Sequence, residues 1–365
     1  MNSSTAQNRP TPTCPQRLSS YKFPEAFVAE TNDRPIPSRT ADYRWAKQVA
    51  ASKPGRLARV RPGRQFRPAA PTSQTKPARH REEYRNDANH QLREKTIVLT
   101  GAATGVGAAL IDRLRAADAE RIVVVDVKPC GGPIDEFILA DLSNPCAVED
   151  AIGRLPGRID VLFNNAGVAA TLPTPVVMGV NVLAPRRLIA VLHQRMPRGS
   201  AIVNTASTAG GGFMERMTAI LELLAIDDWR QSLEWVAAHP ELTRNPYGFS
   251  KECAQVLTLV QAARLAEHGV RINSVCPALI DTPLIADFQT SMGAPILEWM
   301  TSQSGGRKAA AGEIADALAF LGSDAASYVN GTNLLVDNGF SAAVTTNQID
   351  YATMPAVDAL MNSPT

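Results

Sequence analysis

Short apolar runs alternate with helical patterns through most of the chain. Residues 105–117 show helical spacing, with apolar side chains recurring every three or four positions. The apolar runs that read as strands are residues 95–100, 121–126, 161–163, 201–203, 270–275 and 332–336. Continuous apolar strands that alternate with helices are typical of a parallel sheet covered on both faces. The pattern predicts a doubly wound α/β domain over residues 91–345, followed by a tail at 346–365.

Residues 1–90 differ from the rest of the chain in composition and in hydrophobic pattern. They hold 11 of the 26 prolines, with 17 basic and only 7 acidic residues, and they show no sustained period. Prolines at this density remove backbone donors and interrupt helices. We therefore expect a basic, Pro/Arg-rich extension that is largely disordered.

Three interpretations of this extension stay open. It is a solvated segment without its own function, a tail for nucleic acid or a membrane surface, or an organelle-targeting segment. Its basic charge is partly offset by the acidic residues Glu82, Glu83 and Asp87, and no series of base-stacking aromatic residues is evident. We favour the first interpretation and expect neither a nucleic-acid nor a membrane partner.

The overall composition is that of a globular protein, with 45% apolar and 20% charged residues. The five cysteines form no C-x-x-C pair, and none has a histidine at metal-ligand spacing. We expect reduced thiols, no metal site and a cytoplasmic location. The sequence has no run of 18 apolar residues and no apolar stretch of the secretory type at its start.

A glycine-rich turn, Thr100-Gly-Ala-Ala-Thr-Gly-Val-Gly107, joins the first strand to the following helix. Its glycines allow a tight turn and a close approach of a pyrophosphate, and the helix N-terminus offers free N–H groups. A glycine-rich turn alone is weak evidence, but the strand before it and the helix after it supply the required context. The turn predicts a Rossmann-type dinucleotide site. Its candidate cofactor-binding residues are Gly101, Ala103, Thr104, Gly105, Val106 and Gly107.

Asp126 ends the second strand, about twenty residues beyond the glycines. A carboxylate at this place accepts hydrogen bonds from the adenosine ribose and repels a 2′-phosphate. Thr104 is not basic, and we expect Lys128 to point away from the site in an extended strand. The sequence therefore predicts NAD rather than NADP as the cofactor.

Three further motifs follow in order. Asn164-Asn-Ala-Gly167 follows the strand at 161–163, Ser207 follows the strand at 201–203, and Tyr247-Gly-Phe-Ser-Lys251 begins a helical stretch. Tyr247 and Lys251, four positions apart, share one helix face. A lone Tyr-x-x-x-Lys is common on protein surfaces, but its order after a dinucleotide loop and a strand-end serine gives it significance.

Together these motifs resemble the short-chain dehydrogenase/reductase family over residues 95–342. The resemblance implies that Tyr247 is the general acid/base and that Lys251 lowers its pKa and binds the nicotinamide ribose. It also implies that Ser207 orients the substrate oxygen and that Asn181 holds a proton-relay water. Oxidoreduction by hydride transfer is the expected activity.

The resemblance implies further cofactor contacts. These are Asp141, Leu142, Asn165, Ala166, Gly167, Tyr247, Lys251, Pro277, Ile280 and Thr282. The stretch Pro277-Ala-Leu-Ile-Asp-Thr282 resembles the family's Pro-Gly-x-x-x-Thr, with Ala278 in place of the glycine. If this position requires a positive φ, alanine is strained there.

The spacing between Ser207 and Tyr247 is 40 residues, where about a dozen is usual in the family. The extra residues, 211–245, have helical character and resemble the subgroup of bacterial 3α-hydroxysteroid and coniferyl-alcohol dehydrogenases. Either this insertion packs as helices on the surface, or it covers the substrate cleft or alters a subunit contact. We expect a homodimer or a homotetramer.

Residues 284–303 are expected to form a substrate lid. Their apolar members are Ile285, Phe288, Met292, Ile296, Leu297, Trp299 and Met300. Such a lining favours a bulky hydrophobic alcohol or ketone, of the 3α-hydroxysteroid or aromatic-alcohol type. Two alternatives stay open: a dehydrogenase of another alcohol, such as a terpenoid, and an NAD-binding regulatory or scaffold protein without turnover.

Overall fold

The computed structural model describes residues 92–350 and 353–355. The predictions for residues 1–90, and part of that for the tail, lie outside the described residues. The strands are β1 Thr96–Thr100, β2 Arg121–Asp126, β3 Glu136–Leu139, β4 Val161–Asn164, β5 Ala201–Thr205, β6 Arg271–Pro277, β7 Ile280–Asp281, β8 Ala309–Ala310 and β9 Asn333–Val336.

Helices follow most strands. They are α1 Gly105–Ala116, α2 Pro145–Arg154, α3 Thr174–Met178, α4 Ala184–Leu192, α5 Met217–Ala225, α6 Trp229–Ala238, α7 Pro246–Glu267, α8 Ile285–Met292, α9 Ala294–Gln303, α10 Ala311–Gly322 and α11 Phe340–Thr345. A π-helical turn, Gly179–Leu183, joins α3 to α4.

Seven strands form one parallel sheet in the order β3-β2-β1-β4-β5-β6-β9, and β7 and β8 form a small second sheet. The predicted Rossmann-type doubly wound α/β fold is confirmed. The strand order reverses between β1 and β4, the point at which such sheets leave a crevice beyond their carboxyl ends. Gly101 and Asn165, the residues directly after these two strands, therefore lie at the mouth of that crevice.

Two apolar clusters cover the two faces of the sheet. In β1, Val98 belongs to one cluster, whereas Ile97 and Leu99 belong to the other, and all three are fully buried. Successive side chains of a strand point to opposite faces, so a run of apolar residues suits a strand covered on both sides. Complete burial of such a side chain stabilises the fold by about 1.5–3 kcal/mol.

The sequence analysis missed β3. This four-residue edge strand begins at Glu136 and ends at Leu139, which is 62% exposed. A short strand with a polar start and an exposed end lacks the continuous apolar run of the central strands.

The insertion at residues 211–245 folds into α5 and α6. Its apolar residues Ile220, Leu224 and Trp229 join the main core cluster. Arg186 of α4 is buried beneath it and donates to the carbonyl of Leu223 at 3.2 Å, and burial lowers the pKa of this guanidinium to about 10. The insertion is thus packed onto the body of the domain, and its role in a subunit contact stays a prediction.

One stretch of the described residues, Thr174–Arg195, is long and apolar enough to cross a membrane, with a mean hydropathy of 1.5. Within the folded protein, 72% of that window is buried. This is how a core helix of a globular domain behaves, and the burial accounts for its apolar character.

Candidate active site

A cavity of about 610 Å³ lies at the carboxyl edge of the sheet. It collects seventeen of the nineteen predicted site residues: Gly101, Ala103, Thr104, Gly105, Val106, Asp126, Asp141, Leu142, Asn165, Ala166, Gly167, Ser207, Tyr247, Lys251, Pro277, Ile280 and Thr282. Gly107 and Asn181 do not line it. Its size is that of a typical small-molecule or cofactor pocket.

The glycine loop requires its glycines. Gly101 and Gly105 have φ of +72° and +61°, which side chains rarely adopt. A Cβ on Gly107 would lie 2.0 Å from the carbonyl oxygen of Gly101, so Gly107 allows α1 to begin directly against the loop. Gly107 acts on the site through packing and not by lining it.

The first turn of α1 offers unpaired donors to the cavity. Thr104 is the N-cap residue, but its side chain makes no capping hydrogen bond, and the first turn has no acidic residue. The leading N–H groups of a helix lack partners within it and favour an anion, above all a phosphate. This end of the cavity therefore fits the pyrophosphate of a dinucleotide.

Asp126 holds the glycine loop in place. Its Oδ2 accepts from the backbone N–H groups of Ala102 at 2.7 Å and Ala103 at 2.8 Å, and its Oδ1 accepts from Lys128 N at 3.0 Å. The sequence analysis assigned this carboxylate only to the ribose. The parallel pairing of β1 with β2, which puts Thr100 opposite Val125, is the signal that places Asp126 beside the loop.

One expectation about this end of the site was wrong. We expected Lys128 to point away, yet this residue lines the cavity together with Asp126. The strand β2 ends at Asp126, and the chain turns there, with Lys128 N donating back to the carboxylate. The alternation of side chains along a strand therefore does not extend to Lys128.

Asn165 links three segments of the site. Its Nδ2 donates to the carbonyl of Gly101 at 2.6 Å, and its Oδ1 accepts from the hydroxyl of Thr205 at 3.0 Å. Thr100 Oγ1 accepts from the backbone N–H groups of Asn165 and Ala166, both at 3.1 Å. The ends of β1, β4 and β5 are thereby fixed to one another around the cavity.

Ser207, Tyr247 and Lys251 meet at the other end of the cavity. Ser207 follows β5, and its Oγ accepts from Ala209 N at 3.1 Å. Tyr247 lies in the first turn of α7, and Lys251 lies one turn later. The ammonium nitrogen of Lys251 donates to the carbonyl of Thr205 at 2.7 Å and lies 5.6 Å from the centre of the Tyr247 ring.

Burial shifts the pKa of both ionisable groups. Desolvation raises the pKa of Tyr247 to about 12, and a hydrogen bond with Ser207 opposes this rise. Desolvation lowers the pKa of Lys251 to about 8, with Cys276 acting in the opposite direction. That a protonated Lys251 lowers the pKa of Tyr247 stays a prediction.

Asn181 lies in the π-helical turn and is buried. Its side-chain amide accepts from Val168 N at 2.9 Å and donates to Val168 O at 3.0 Å and to Ser250 Oγ at 2.9 Å. The amide therefore clamps the loop after β4 to the start of α7. Its role toward a relay water stays a prediction.

Ala278 is not strained. Among the described residues, the non-glycine positions with positive φ are Glu94, Asp118, Asn338 and Asn347. Ala278 is not one of them, so the backbone conformation here does not require a glycine. Ala278 and the flanking Pro277 both line the cavity.

The residues predicted to form the lid fold into α8 and α9, and α8 contacts the site directly. The Phe288 ring packs edge-on against Tyr247, with 4.9 Å between centroids and 69° between planes. Thr171 Oγ1 donates to Asp287 Oδ1 at 3.2 Å. Of the apolar lid residues named from the sequence, Phe288 lines the cavity, whereas Ile296 and Leu297 are buried elsewhere.

The sequence analysis missed part of the substrate end. Its apolar lining continues with Val168, Leu172, Val176, Val180 and Leu284. Leu172 is 42% exposed. Residues 211–245 do not line this cavity. The large, partly exposed apolar side chain of Leu172, in the loop after Gly167, is the signal that could have indicated this part of the cavity lining.

The fold and the site together are those of a dinucleotide-binding oxidoreductase. Residues 95–219 match the family model described as short chain dehydrogenase, and residues 235–341 match the one described as enoyl-(acyl carrier protein) reductase. A coniferyl-alcohol dehydrogenase of Pseudomonas sp. strain HR199 is 32% identical over 253 residues, 69% of this chain and 98% of the relative.

Two further relatives extend the comparison. A cis-4-hydroxycyclohexanecarboxylate dehydrogenase of Sinomonas cyclohexanicum is 31% identical, over 68% of this chain and 97% of its own. The structure of the 3-alpha-hydroxysteroid dehydrogenase of Pseudomonas sp. B-0831, complexed with NADH, matches with a TM-score of 0.56 and 29% identity, covering 70% of this chain and 100% of that one. The chain belongs to the short-chain dehydrogenase/reductase family.

Proposed function

We propose that the protein is an NAD(H)-dependent oxidoreductase that interconverts a hydrophobic alcohol and its carbonyl compound, of the aromatic-alcohol or 3α-hydroxysteroid type. The observation that carries this proposal is the shared cavity. One end has a phosphate-binding glycine loop, and the other end brings Ser207, Tyr247 and Lys251 together. The coniferyl-alcohol and hydroxysteroid dehydrogenases among the relatives support it.

The cavity residues fit a nicotinamide dinucleotide. The N-terminus of α1 would hold the pyrophosphate, Asp126 the adenosine ribose, and Asp141 and Leu142 the adenine. Pro277, Ile280 and Thr282 would hold the nicotinamide. The bound cofactor would supply the hydride acceptor or donor.

Asp126 supports the choice of NAD over NADP, whereas Lys128 lines the cavity and no longer contributes to that choice. Asp126 is only 9% exposed and lines the cavity, so an adenosine 2′-phosphate would place its charge against a buried carboxylate. The backbone donors that Asp126 already binds hold it in place. The NADH in the related hydroxysteroid dehydrogenase structure is consistent with this choice.

Ser207 is oriented to donate a hydrogen bond to the substrate. Because its Oγ already accepts from Ala209 N, the hydroxyl proton is left for another acceptor. In this structure that proton reaches Pro277 O at the long distance of 3.4 Å. A substrate oxygen near Tyr247 would be a better acceptor, and the bond would strengthen as the oxygen gains negative charge.

Tyr247 would exchange a proton with the substrate oxygen through its hydroxyl. With a pKa of about 12, Tyr247 is protonated at neutral pH and can give its proton to a carbonyl oxygen. A positive charge beside it lowers that pKa, and protonated Lys251 at neutral pH supplies one on the ring side. In alcohol oxidation the ionised form of Tyr247 would accept, at Oη, the proton that the alcohol loses.

The lining of the substrate end supports a bulky apolar substrate. Leu172, Val176, Leu284 and Phe288 line the cavity together with the acidic Asp287, and Phe288 contacts Tyr247. Apolar walls with few polar groups suit rings more than sugars.

We propose, in addition, a cytoplasmic location, a homodimer or homotetramer, and no nucleic-acid partner. A solution mass from light scattering tests the oligomer. Binding to DNA that weakens with salt and disappears on removal of residues 1–90 would contradict the last of these proposals.

The test of the function is turnover of a panel of alcohols that includes coniferyl alcohol and a 3α-hydroxysteroid, followed by the near-ultraviolet absorbance of reduced nicotinamide. We expect turnover with NAD, little with NADP, and none in Tyr247→Phe. NAD binding without turnover across the panel would favour a non-catalytic role.

A further inference from the structure

A buried glutamine on the catalytic helix binds the backbone of the catalytic serine. Gln255 is only 3% exposed, and its Nε2 donates to the carbonyl oxygen of Ser207 at 2.8 Å. It lies four residues after Lys251 and eight after Tyr247, so the three side chains share one face of α7.

Helix α7 therefore holds the Ser207 segment at two points. Lys251 donates to the carbonyl of Thr205, and Gln255 donates to the carbonyl of Ser207. These carbonyls are two residues apart, at the last residue of β5 and just beyond it. Because Tyr247 is on the same helix, the two bonds fix the distance between the segment that carries Ser207 and the segment that carries Tyr247.

The packing around Gln255 is close. A Cβ on Gly210 would lie 2.6 Å from Gln255 Nε2 and 2.6 Å from the backbone carbon of Lys251. Gly210 N also donates to the Ser207 carbonyl, at 3.1 Å. The short 3-10 turn Thr208–Gly210 thus rests against α7, and its first residues orient the Ser207 hydroxyl through Ala209 N.

We propose that Gln255 is a positioning residue, which sets the place of the Ser207 hydroxyl relative to Tyr247. This inference rests on the proposed dehydrogenase function. Gln255 itself does not line the cavity and acts through Ser207. Without its donor, the buried Ser207 carbonyl keeps only the Gly210 N–H, and the turn is free to shift. A displacement of a reacting group by about 1 Å is enough to slow an enzyme about a hundredfold.

The kinetic test is a double-mutant cycle of Gln255→Met and Ser207→Ala, with Gln261→Met as the matched control. Gln261 is a glutamine of the same helix with the same 3% exposure, and it does not line the cavity. For Gln255→Met we expect kcat to fall about ten- to a hundredfold while KM and the NADH dissociation constant stay nearly constant. Gln261→Met should leave kcat nearly unchanged.

Comparing the effect of Gln255→Met in the wild type and in Ser207→Ala distinguishes a positioning role from general destabilisation of the protein. In Ser207→Ala, adding Gln255→Met should cost little more, because the group that it positions is gone. An equal loss in both backgrounds would overturn the inference, as would a Gln255→Met enzyme with normal kcat. Gln255→Leu, which removes the donor and has no group that can replace it, serves as a second variant if the first does not fold.

Crystal structures of wild type and Gln255→Met separate this inference from the proposed function. We expect the Ser207 Oγ to move away from the Tyr247 hydroxyl in the variant. An unchanged Ser207 would overturn the positioning role, even if no alcohol in the panel were turned over. If the wild type turns over no alcohol but Ser207 is displaced in the Gln255→Met structure, the proposed function is rejected and the positioning role is kept.

Discussion

The two ends of the cavity are built differently. The glycine-loop end is held by hydrogen bonds between side chains and the backbone, in which Asp126 and Asn165 tie the ends of neighbouring strands together. At the substrate end, α8 has no buried residue and touches the site through Phe288 and Asp287. The first end suits a constant ligand held in one geometry, and the second suits a lid that adapts to the substrate.

The largest effect is expected where the two ends meet. Tyr247→Phe removes the hydroxyl that exchanges the proton, and turnover should fall about a thousandfold or more. NADH affinity should stay within about twofold, because the glycine-loop end is untouched. Steady-state rates and calorimetry check both numbers. A comparable loss of NADH binding would show that the two ends are not separable.

The glycine-loop end should tolerate little change. Gly107→Ala places a Cβ 2.0 Å from the Gly101 carbonyl, which forces the backbone to shift. Overpacking of about 1–3 kcal/mol corresponds to a loss of up to about a hundredfold in NAD affinity. The matched control is Gly157→Ala, where a Cβ would meet nothing within 4 Å. Equal NAD affinity in the two variants would refute the rigid view of this end.

The pH dependence of stability tests the burial of Lys251. Its pKa is lowered from 10.5 to about 8. Between these pH values the unfolded chain binds more protons than the folded protein, so this lysine makes stability rise with pH. Relative to Lys251→Met, the wild-type free energy of unfolding should increase from about pH 8 to about pH 10. Denaturation at several pH values measures it, and a constant difference would mean that Lys251 is not desolvated.

The smallest effect is expected at the lid. Phe288→Ala removes an aromatic contact with Tyr247 worth about 0.5–1.5 kcal/mol, so KM for the alcohol should rise about three- to tenfold. NADH affinity should not change. Phe320→Ala, at a 43% exposed phenylalanine of α10, is the control and should leave KM as it is. Weakened NADH binding in Phe288→Ala would contradict the separation of the cavity into two independent ends.

Sequence reasoning recovered the glycine-loop end well, because its signals are local. The backbone conformation of the loop at residues 101–107 requires glycines, and the position of Asp126 at a strand end places its carboxylate beside that loop. The two insertion helices followed from apolar spacing. Short edge strand β3 did not, since it lacks a continuous apolar run.

The rest of the site depends on contacts between distant residues. Leu172 and Val176 line the cavity because the fold brings the loop after β4, and α3 that follows it, to the same edge of the sheet. The bond of Gln255 to Ser207 joins positions 48 residues apart. The raised pKa of Tyr247 depends on its burial in the folded domain. No short motif encodes these relations, so the fold had to be known first.

The most direct test of the central claim is the fate of the hydride. Wild-type protein is incubated with NAD and an alcohol of the panel carrying deuterium on its carbinol carbon, and the reduced cofactor is analysed by mass spectrometry. The account predicts reduced cofactor that carries the deuterium, and none in Tyr247→Phe. Failure to reduce NAD, or reduced cofactor without deuterium, would contradict it.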